Sequence, residues 1–236
     1  MFFYATEKLQ DARISLDRLR IMTCPLHESN IKFVSGPEGD CGDNIGIVDP
    51  IAFSEAFSSC IIQIRAVGEA ILNVEKLEIN GIKVNERELN EKNQFELFMR
   101  WKKEKLKYHK ELEVGELINF IYEERIADFH FGVSRLAFTM YGHSFSTTKL
   151  GEKPTADATW IINGKGLFWL VNKGTSKESF IPCDIKDGYA FGAKLINPPR
   201  LHQNQPLSST DPLSICVTAL NYYEELLFEA KSKFGD

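Results

Sequence analysis

The chain has 236 residues, of which 43% are hydrophobic and 26% are charged, a composition typical of globular proteins and unlike that of disordered chains. The formal net charge of −5 excludes a global electrostatic attraction to nucleic acid, so any RNA or DNA binding must depend on a local patch. Five scattered cysteines and the absence of a long apolar run predict a cytoplasmic protein with reduced thiols that does not enter membranes.

The first predicted element is a helix over residues 6–20, in which Ala12, Leu16 and Leu19 keep helical spacing. A stretch rich in Gly, Pro and Asp follows at 35–50 and is interpreted as a solvated connection. Its acidic residues do not have the ligand spacing of a calcium-binding loop.

The second predicted helix, over residues 51–76, has the clearest amphipathic pattern in the first half of the chain. Its apolar residues recur at spacings of three and four, which places them on one face. That stripe contains Phe53, Phe57, Cys60, Ile61, Ile64, Val67, Gly68 and Ile71.

Two further helices are predicted after a polar stretch at 79–93. One starts at Phe95 with the sequence FELFMRWKKEKLKYH, and the other starts near Glu113 or Val114 and runs through ELINFIYEERIADFHF. The first half of the chain, residues 6–133, is therefore predicted to be a helical bundle.

The pattern changes to strands near residue 135. Two β-prone runs at 158–171 flank Asn163-Gly164, a dipeptide typical of type I′ hairpin turns. The later run SFIPCDI predicts a third strand of a small antiparallel meander. Since side chains alternate along a strand, Trp160, Phe168 and Trp169 cannot all face the same side.

The chain ends in a predicted helix that starts with Asp211 as N-cap and Pro212 as first helical residue, after a polar loop at 197–211. The predicted fold is a single mainly α domain over 1–236. Its four- or five-helix bundle is formed by 6–133 and 211–232, with a small β-hairpin or meander inserted before the last helix at approximately 135–196.

The order of these helices resembles the HEPN superfamily of four- to five-helix bundles. The segments that support this resemblance are FSEAFSSCIIQIR, FELFMRWKKEKLK, ELINFIYEERIADFHFG and PLSICVTALNYYEELL. Many members of that superfamily carry an arginine and a histidine, separated by four to six residues, near the end of the penultimate core helix. Arg125 and His130 match the shortest version of this motif.

The resemblance implies a metal-independent endoribonuclease without a cofactor. It would act as a homodimer in a toxin–antitoxin or phage-defence setting, restrained by a protein partner such as an antitoxin or regulator. His130 would be the general acid/base, because the pKa of an unperturbed histidine lies near neutrality. Arg125 would hold the phosphate through its planar fork of donors.

One observation leaves an alternative open. Active members usually have a polar residue directly after the arginine, whereas this chain has Ile126. Arg125 could instead form a salt bridge with Glu124 or a neighbouring helix, while His130 ends its helix before Gly132. The alternative function is a catalytically inactive bundle that binds a protein or a nucleotide-like ligand.

A basic stretch at 100–110 is the predicted site for nucleic acid, since cations interleaved with aromatic residues suit backbone phosphates. Its predicted RNA-binding residues are Arg100, Lys102, Lys103, Lys105 and Lys107. The alternative interpretation is a solvated helix face with Trp101 buried.

Other motifs support no further chemistry. Cys24 and His27 resemble half of a zinc knuckle, but no second pair follows at ligand spacing, so no metal is predicted. The sequence offers no obvious partner for His109, His143 or His202. Neither a Walker A loop nor a Gly-x-Gly-x-x-Gly motif is present.

Overall fold

The computed structural model describes residues 2–24, 32–34, 42–47, 49–73, 78–79, 82–83, 92–110, 112–131, 135–141, 154–156, 158–163, 166–182 and 190–235. Within these ranges the protein is mainly helical, as the sequence predicts, and has several short antiparallel strands. The five helices are α1 (Phe3–Ile21), α2 (Pro50–Leu72), α3 (Lys92–Lys110), α4 (Leu112–Phe131) and α5 (Pro212–Phe234).

The helices α1, α2 and α5 pack against one another, and α3 packs against α4. Every member of the apolar stripe predicted on α2 is buried. Buried side chains of all five helices form one hydrophobic cluster, to which four strands also contribute. The amphipathic periodicity of the sequence therefore identifies the helical core correctly.

The helices α2 and α5 both start with an aspartate as N-cap. Asp49 caps α2 by accepting hydrogen bonds from the backbone N–H groups of Ile51 and Ala52, at 2.8 and 3.1 Å. Asp211 caps α5 in the same way, and a proline follows each aspartate. The prediction of Asp211 and Pro212 as N-cap and first helical residue is confirmed. Proline suits the first helical position because the N–H group that it lacks would have no helical partner there.

The twelve described strands are short. They are β1 (Thr23–Cys24), β2 (Lys32–Val34), β3 (Ile45–Ile47), β4 (Glu78–Ile79), β5 (Ile82–Lys83), β6 (Leu136–Tyr141), β7 (Thr159–Asn163), β8 (Gly166–Val171), β9 (Ser179–Pro182), β10 (Ala190–Leu195), β11 (Leu201–His202) and β12 (Gln205–Pro206).

The prediction that strands occur only in an insertion at 135–196 was wrong, because the five-stranded sheet contains strands from another part of the chain. Its order is β1-β3-β10-β6-β2, so three of its five strands come from the region between α1 and α2. The predicted solvated connection at 35–50 contains β3, in which Ile47 is buried and pairs with Phe191 of β10. Burial on the core is the physical reason that this segment is a strand rather than a solvated loop.

The predicted three-stranded meander is confirmed, with the order β7-β8-β9. Asn163 was predicted to be the first turn residue of the β7–β8 hairpin. It belongs instead to strand β7, where it pairs with Gly166 of β8. The predicted alternation also holds: Trp169 is buried in the hydrophobic cluster, whereas Phe168 is half-buried against Phe180. The side chain of Trp160 lies outside the described residues.

A small hairpin of β11 and β12 interrupts the loop predicted at 197–211. Gln203 and Asn204 connect its strands, and both residues have positive φ angles, of 54° and 60°. Positive φ at two central residues matches a type I′ turn, which twists in the same sense as the strands that it joins. This hairpin packs on α4 and holds His202 close to α5.

Candidate ligand-binding cleft

Arg125 and His130 both lie in the second half of α4, the helix that precedes α5 in the chain. Five positions separate them, which corresponds to about 7.5 Å along a helix axis. Their side chains lie outside the described residues, so their predicted role as a catalytic pair stays a prediction.

The neighbouring Glu124 is described, and it binds a different arginine. Its Oε1 atom accepts a hydrogen bond from the backbone N–H of Arg135 at 2.9 Å. The guanidinium of Arg135 reaches Glu123 Oε2 at 2.8 Å and lies over the ring of Phe120. Arg135 therefore attaches the start of β6 to α4, a contact that the sequence did not predict.

The predicted nucleic-acid patch on α3 does not form one surface. Lys102 is 8% exposed, and its Nζ lies 3.4 Å from Oδ1 of Asn73 at the end of α2. The Nζ of Lys105 lies 2.7 Å from Oε2 of Glu229 on α5. Lys102 is buried and Lys105 is partly buried because both lie towards the side of α3 that carries the buried Trp101.

The remaining predicted RNA-binding residues, Arg100, Lys103 and Lys107, are exposed. Their spacings of three and four place them on one face of α3. Two exposed acids, Glu96 and Glu104, share that face, so its excess of positive charge is small.

A cleft of about 530 Å³ lies elsewhere, between α2, α3 and α4. Its floor includes Tyr223 of α5. Apolar side chains such as Leu72, Leu106 and Ile118 form much of its wall. The polar groups that face it are Arg65, Glu69 and Asn73 of α2, His109 of α3, and Asn119 and Tyr122 of α4. Because α2, α3 and α4 are long helices that contribute to the core, they set the positions from which these side chains reach the cleft.

Arg65 is the principal charged group of the cleft. Its side chain is 11% exposed, and Nε donates a hydrogen bond to Oε1 of Glu69 at 2.7 Å. The centre of its guanidinium lies 3.8 Å from the centre of the Tyr122 ring, a close cation–π contact. Helix spacing explains the pairing with Glu69, which stands four residues further along the same face of α2.

His109 forms part of the cleft wall, and Tyr222 of α5 holds its ring in place. Its Nε2 lies 2.6 Å from the hydroxyl oxygen of Tyr222. Burial lowers the pKa of His109 to about 4, with Lys105 and His202 adding to the effect. The imidazole is therefore neutral at physiological pH. The sequence offered no obvious partner for His109 or His202, and in the structure both rings contact Tyr222.

Tyr223 closes the floor of the cleft against Gly68. A side chain at position 68 would overlap the Tyr223 ring, so glycine is what lets the ring lie against α2. Burial raises the pKa of Tyr223 above its ordinary value, an effect that Arg65 opposes and Glu69 reinforces. The phenol stays protonated at neutral pH and can donate or accept a hydrogen bond.

The cleft thus offers a largely buried cation paired with a half-exposed carboxylate, several neutral hydrogen-bonding groups and an apolar wall. In the part of the chain that the structure describes, no three His, Cys, Asp or Glu side chains group closely enough to hold a metal ion. The segment from Pro25 to His27 and the residue His143 lie outside the described residues.

The sequence contained one local signal of this site, the pair Arg65 and Glu69 at helical spacing. That signal is weak because such pairs are common on exposed helix faces. His109 and Tyr222 are 113 positions apart in the chain, so no local pattern could join them.

No family model, no curated protein and no solved structure matches this chain. None of the helices in the described ranges combines the length and the apolar character needed to cross a bilayer.

Proposed function

We propose that the protein binds a small organic molecule in the cleft between α2, α3 and α4. The observation that supports this most directly is the cleft itself, about 530 Å³ in volume and lined by apolar and convergent polar side chains. Small-molecule sites in proteins typically occupy about 300–1,000 Å³ and combine an apolar wall with a few polar groups. The proposal is related to the alternative left open by the sequence, an inactive bundle that binds a protein or a nucleotide-like ligand, but it names a small organic molecule.

The titratable groups of the cleft favour recognition over catalysis. A general acid or base works best when its pKa lies near the operating pH. The pKa of His109 is about 4, and its Nε2 is already engaged by Tyr222. The pKa of Tyr223 is shifted upwards, away from neutrality. Both groups can orient a ligand without exchanging a proton with it.

The neutral fluorescent dye N-phenylnaphthylamine tests this proposal, because its emission rises when it leaves water. The variant Leu106→Trp would fill the cleft from its α3 wall. Leu97→Trp introduces the same side chain at another exposed position of α3, one that does not line the cleft. With the dye excited directly, wild type and Leu97→Trp should bind it, and Leu106→Trp should bind at least ten-fold more weakly. Absence of binding, or equal binding by all three proteins, would refute the proposal.

The endoribonuclease predicted from the HEPN resemblance is the second candidate, and one observation favours it. Among the described helices, α4 is the penultimate one, and Arg125 and His130 lie towards its end. In this second proposal a HEPN-like homodimer acts in the cytoplasm, with Arg125 on the phosphate and His130 as acid/base. RNA would lie along the exposed cations of α3, and an antitoxin or regulator would restrain the activity.

Cleavage of a mixed RNA pool in the presence of EDTA tests the second candidate. Wild type should cut, while Arg125→Ala and His130→Ala should lose at least about a hundred-fold in rate, as expected when an acid/base is removed. Arg18→Ala, an exposed arginine of α1, is the matched control. Sedimentation of the same samples should show a dimer. A folded wild-type protein that leaves the RNA intact would exclude the nuclease without affecting the proposed cleft.

A further inference from the structure

The guanidinium of Arg65 has an unfilled hydrogen-bonding capacity. Of its nitrogen atoms, Nε is used by Glu69, whereas Nη1 is buried and has no hydrogen-bond partner among the described residues. Buried donors in proteins nearly always have an acceptor, and leaving one without an acceptor is destabilising. The cleft therefore holds a cation with one buried nitrogen, Nη1, that lacks an acceptor among the described residues.

Glu69 binds only one edge of the Arg65 guanidinium. A guanidinium presents two edges that can each bind an anionic group. Glu69 occupies the Nε side, and its own side chain is 49% exposed, so solvent screens its charge. The edge formed by Nη1 and Nη2 can bind the two oxygens of a second anionic group.

Tyr122 covers one face of the Arg65 guanidinium. Its side chain is 51% exposed, and its ring lies against the guanidinium face. Rotation of an exposed tyrosine is fast compared with ligand binding. A hydrogen bond to a charged group typically stabilises more than a cation–π contact at an exposed site. An anionic group that displaced the ring would therefore offset its loss.

We propose that the ligand of the cleft is a small amphipathic organic anion. Its carboxylate, sulfonate or phosphate group binds the open edge of Arg65, after Tyr122 turns outward. Its apolar body lies against Leu72, Leu106 and Ile118, which line the same cleft. This inference rests on the proposed binding function and adds the chemical class of the ligand.

A pair of dyes separates the anionic contribution from binding to the cleft itself. Anilinonaphthalene sulfonate and N-phenylnaphthylamine share an aromatic skeleton, but only the first carries an anionic group. Wild type should bind the sulfonate at least ten-fold more tightly than the neutral dye. Arg65→Gln should lose this preference, so that its affinities for the two dyes become similar. Arg18→Gln, which removes an exposed arginine of α1, should behave as wild type.

A competition experiment tests the inference on the unmodified protein, so it remains decisive even if Arg65→Gln does not fold. Naphthaleneacetate should displace the neutral dye at least ten-fold more effectively than naphthaleneacetamide, its uncharged analogue. Neutral-dye binding with no preference for either anion would overturn the inference and leave the proposed function intact. A wild-type protein that binds none of the four compounds would overturn both.

Discussion

His109 of α3 and Tyr222 of α5 share a hydrogen bond in the protein interior, with 2.6 Å between Nε2 and the hydroxyl oxygen. The ring of His202 lies edge-on to the same tyrosine, with 4.9 Å between ring centres. Burial lowers the pKa of both histidines and raises that of Tyr222. All three side chains are uncharged at neutral pH, so this contact links α3, α5 and the β11–β12 hairpin without an ion pair.

The first prediction is that His109 makes the protein sensitive to mild acid. Its pKa of about 4 in the folded protein lies below the ordinary value of 6.5. As the pH falls, the unfolded chain therefore takes up this proton first. The contribution to stability is complete above about pH 6.5 and is lost as the pH falls towards about 4. At about pH 5 the loss should be roughly 2 kcal/mol, from about 1.4 kcal/mol per pKa unit.

Urea unfolding of wild type and His109→Gln at about pH 7.5 and about pH 5 measures this contribution. Glutamine cannot take up the proton, but its amide can still reach Tyr222. The free energy of unfolding should fall between the two pH values by about 1–2 kcal/mol less in the variant than in wild type. Equal losses in the two proteins would show that other groups cause the acid sensitivity, His202 being the first to examine.

The second prediction concerns Glu229, which joins α5 to α3. It accepts hydrogen bonds from Trp101 Nε1 and Lys233 Nζ, at 2.9 and 2.7 Å, and pairs with Lys105. Burial alone would raise the pKa of Glu229, but the bonds from Lys105, Lys233 and Trp101 outweigh burial and hold it at about 2. Its contribution to stability is therefore complete above an ordinary glutamate pKa of about 4.5 and is lost as the pH falls towards about 2.

Glu229→Gln should lower the free energy of unfolding by about 1–3 kcal/mol at neutral pH, because Trp101 and Lys105 lose a charged acceptor. Glu225→Gln, an exposed position on the same helix, should change it by less than about 0.5 kcal/mol. Chemical denaturation of the two variants at neutral and acidic pH provides the comparison. The cost of Glu229→Gln should shrink at about pH 2.5, and a cost that is independent of pH would contradict the charged role.

The helices could be predicted because each carries its own signal, but the large sheet could not. Its strand β3 has three residues, too few to show the alternation that identifies a strand. The partner strand β10 is far away in the chain, with Gly46 opposite Gly192. The same limit explains the missed β11–β12 hairpin, whose turn residues Gln203 and Asn204 include no glycine.

The cleft escaped prediction for a related reason, since four helices contribute to it. Arg65 belongs to α2, whereas Tyr122 and Tyr223, which line the same cleft, belong to α4 and α5. On α3 the run of cations suggests one charged surface, but the helical period directs Lys102 and Lys105 towards Asn73 and Glu229. Arg100, Lys103 and Lys107 stay exposed.

The third prediction is that the cap of α5 has a measurable effect on stability. Asp211 accepts hydrogen bonds from the backbone N–H groups of Leu213 and Ser214, at 2.9 and 3.0 Å. Asp211→Ala should lower the free energy of unfolding by about 1–2 kcal/mol, and Asp211→Asn by less, because asparagine is also a good N-cap. Asp17→Ala, which removes an exposed partner of Arg20 on α1, should cost at most about 1 kcal/mol. Urea unfolding that ranks Asp211→Asn with Asp211→Ala would contradict this role.

The fourth prediction tests the floor of the cleft, where Gly68 lies against the ring of Tyr223. An added Cβ would overlap Cε1 of Tyr223 and lie 2.6 Å from its Cζ. Alanine is favoured over glycine within a helix by about 1 kcal/mol, but overpacking a core costs about 1–3 kcal/mol. Gly68→Ala should therefore be destabilising overall, by about 1 kcal/mol, although helix propensity alone predicts the opposite sign.

A double-mutant cycle with Tyr223→Leu separates these two effects. Without the ring, the clash disappears and only the helix propensity remains, so Gly68→Ala should become neutral or stabilising by up to about 1 kcal/mol. Urea unfolding of the four proteins gives the coupling free energy between positions 68 and 223. Gly68→Ala should also weaken binding of N-phenylnaphthylamine, because the displaced Tyr223 ring would enter the cleft. An equal cost of Gly68→Ala in both backgrounds would mean that Tyr223 does not limit the approach of α5 to α2.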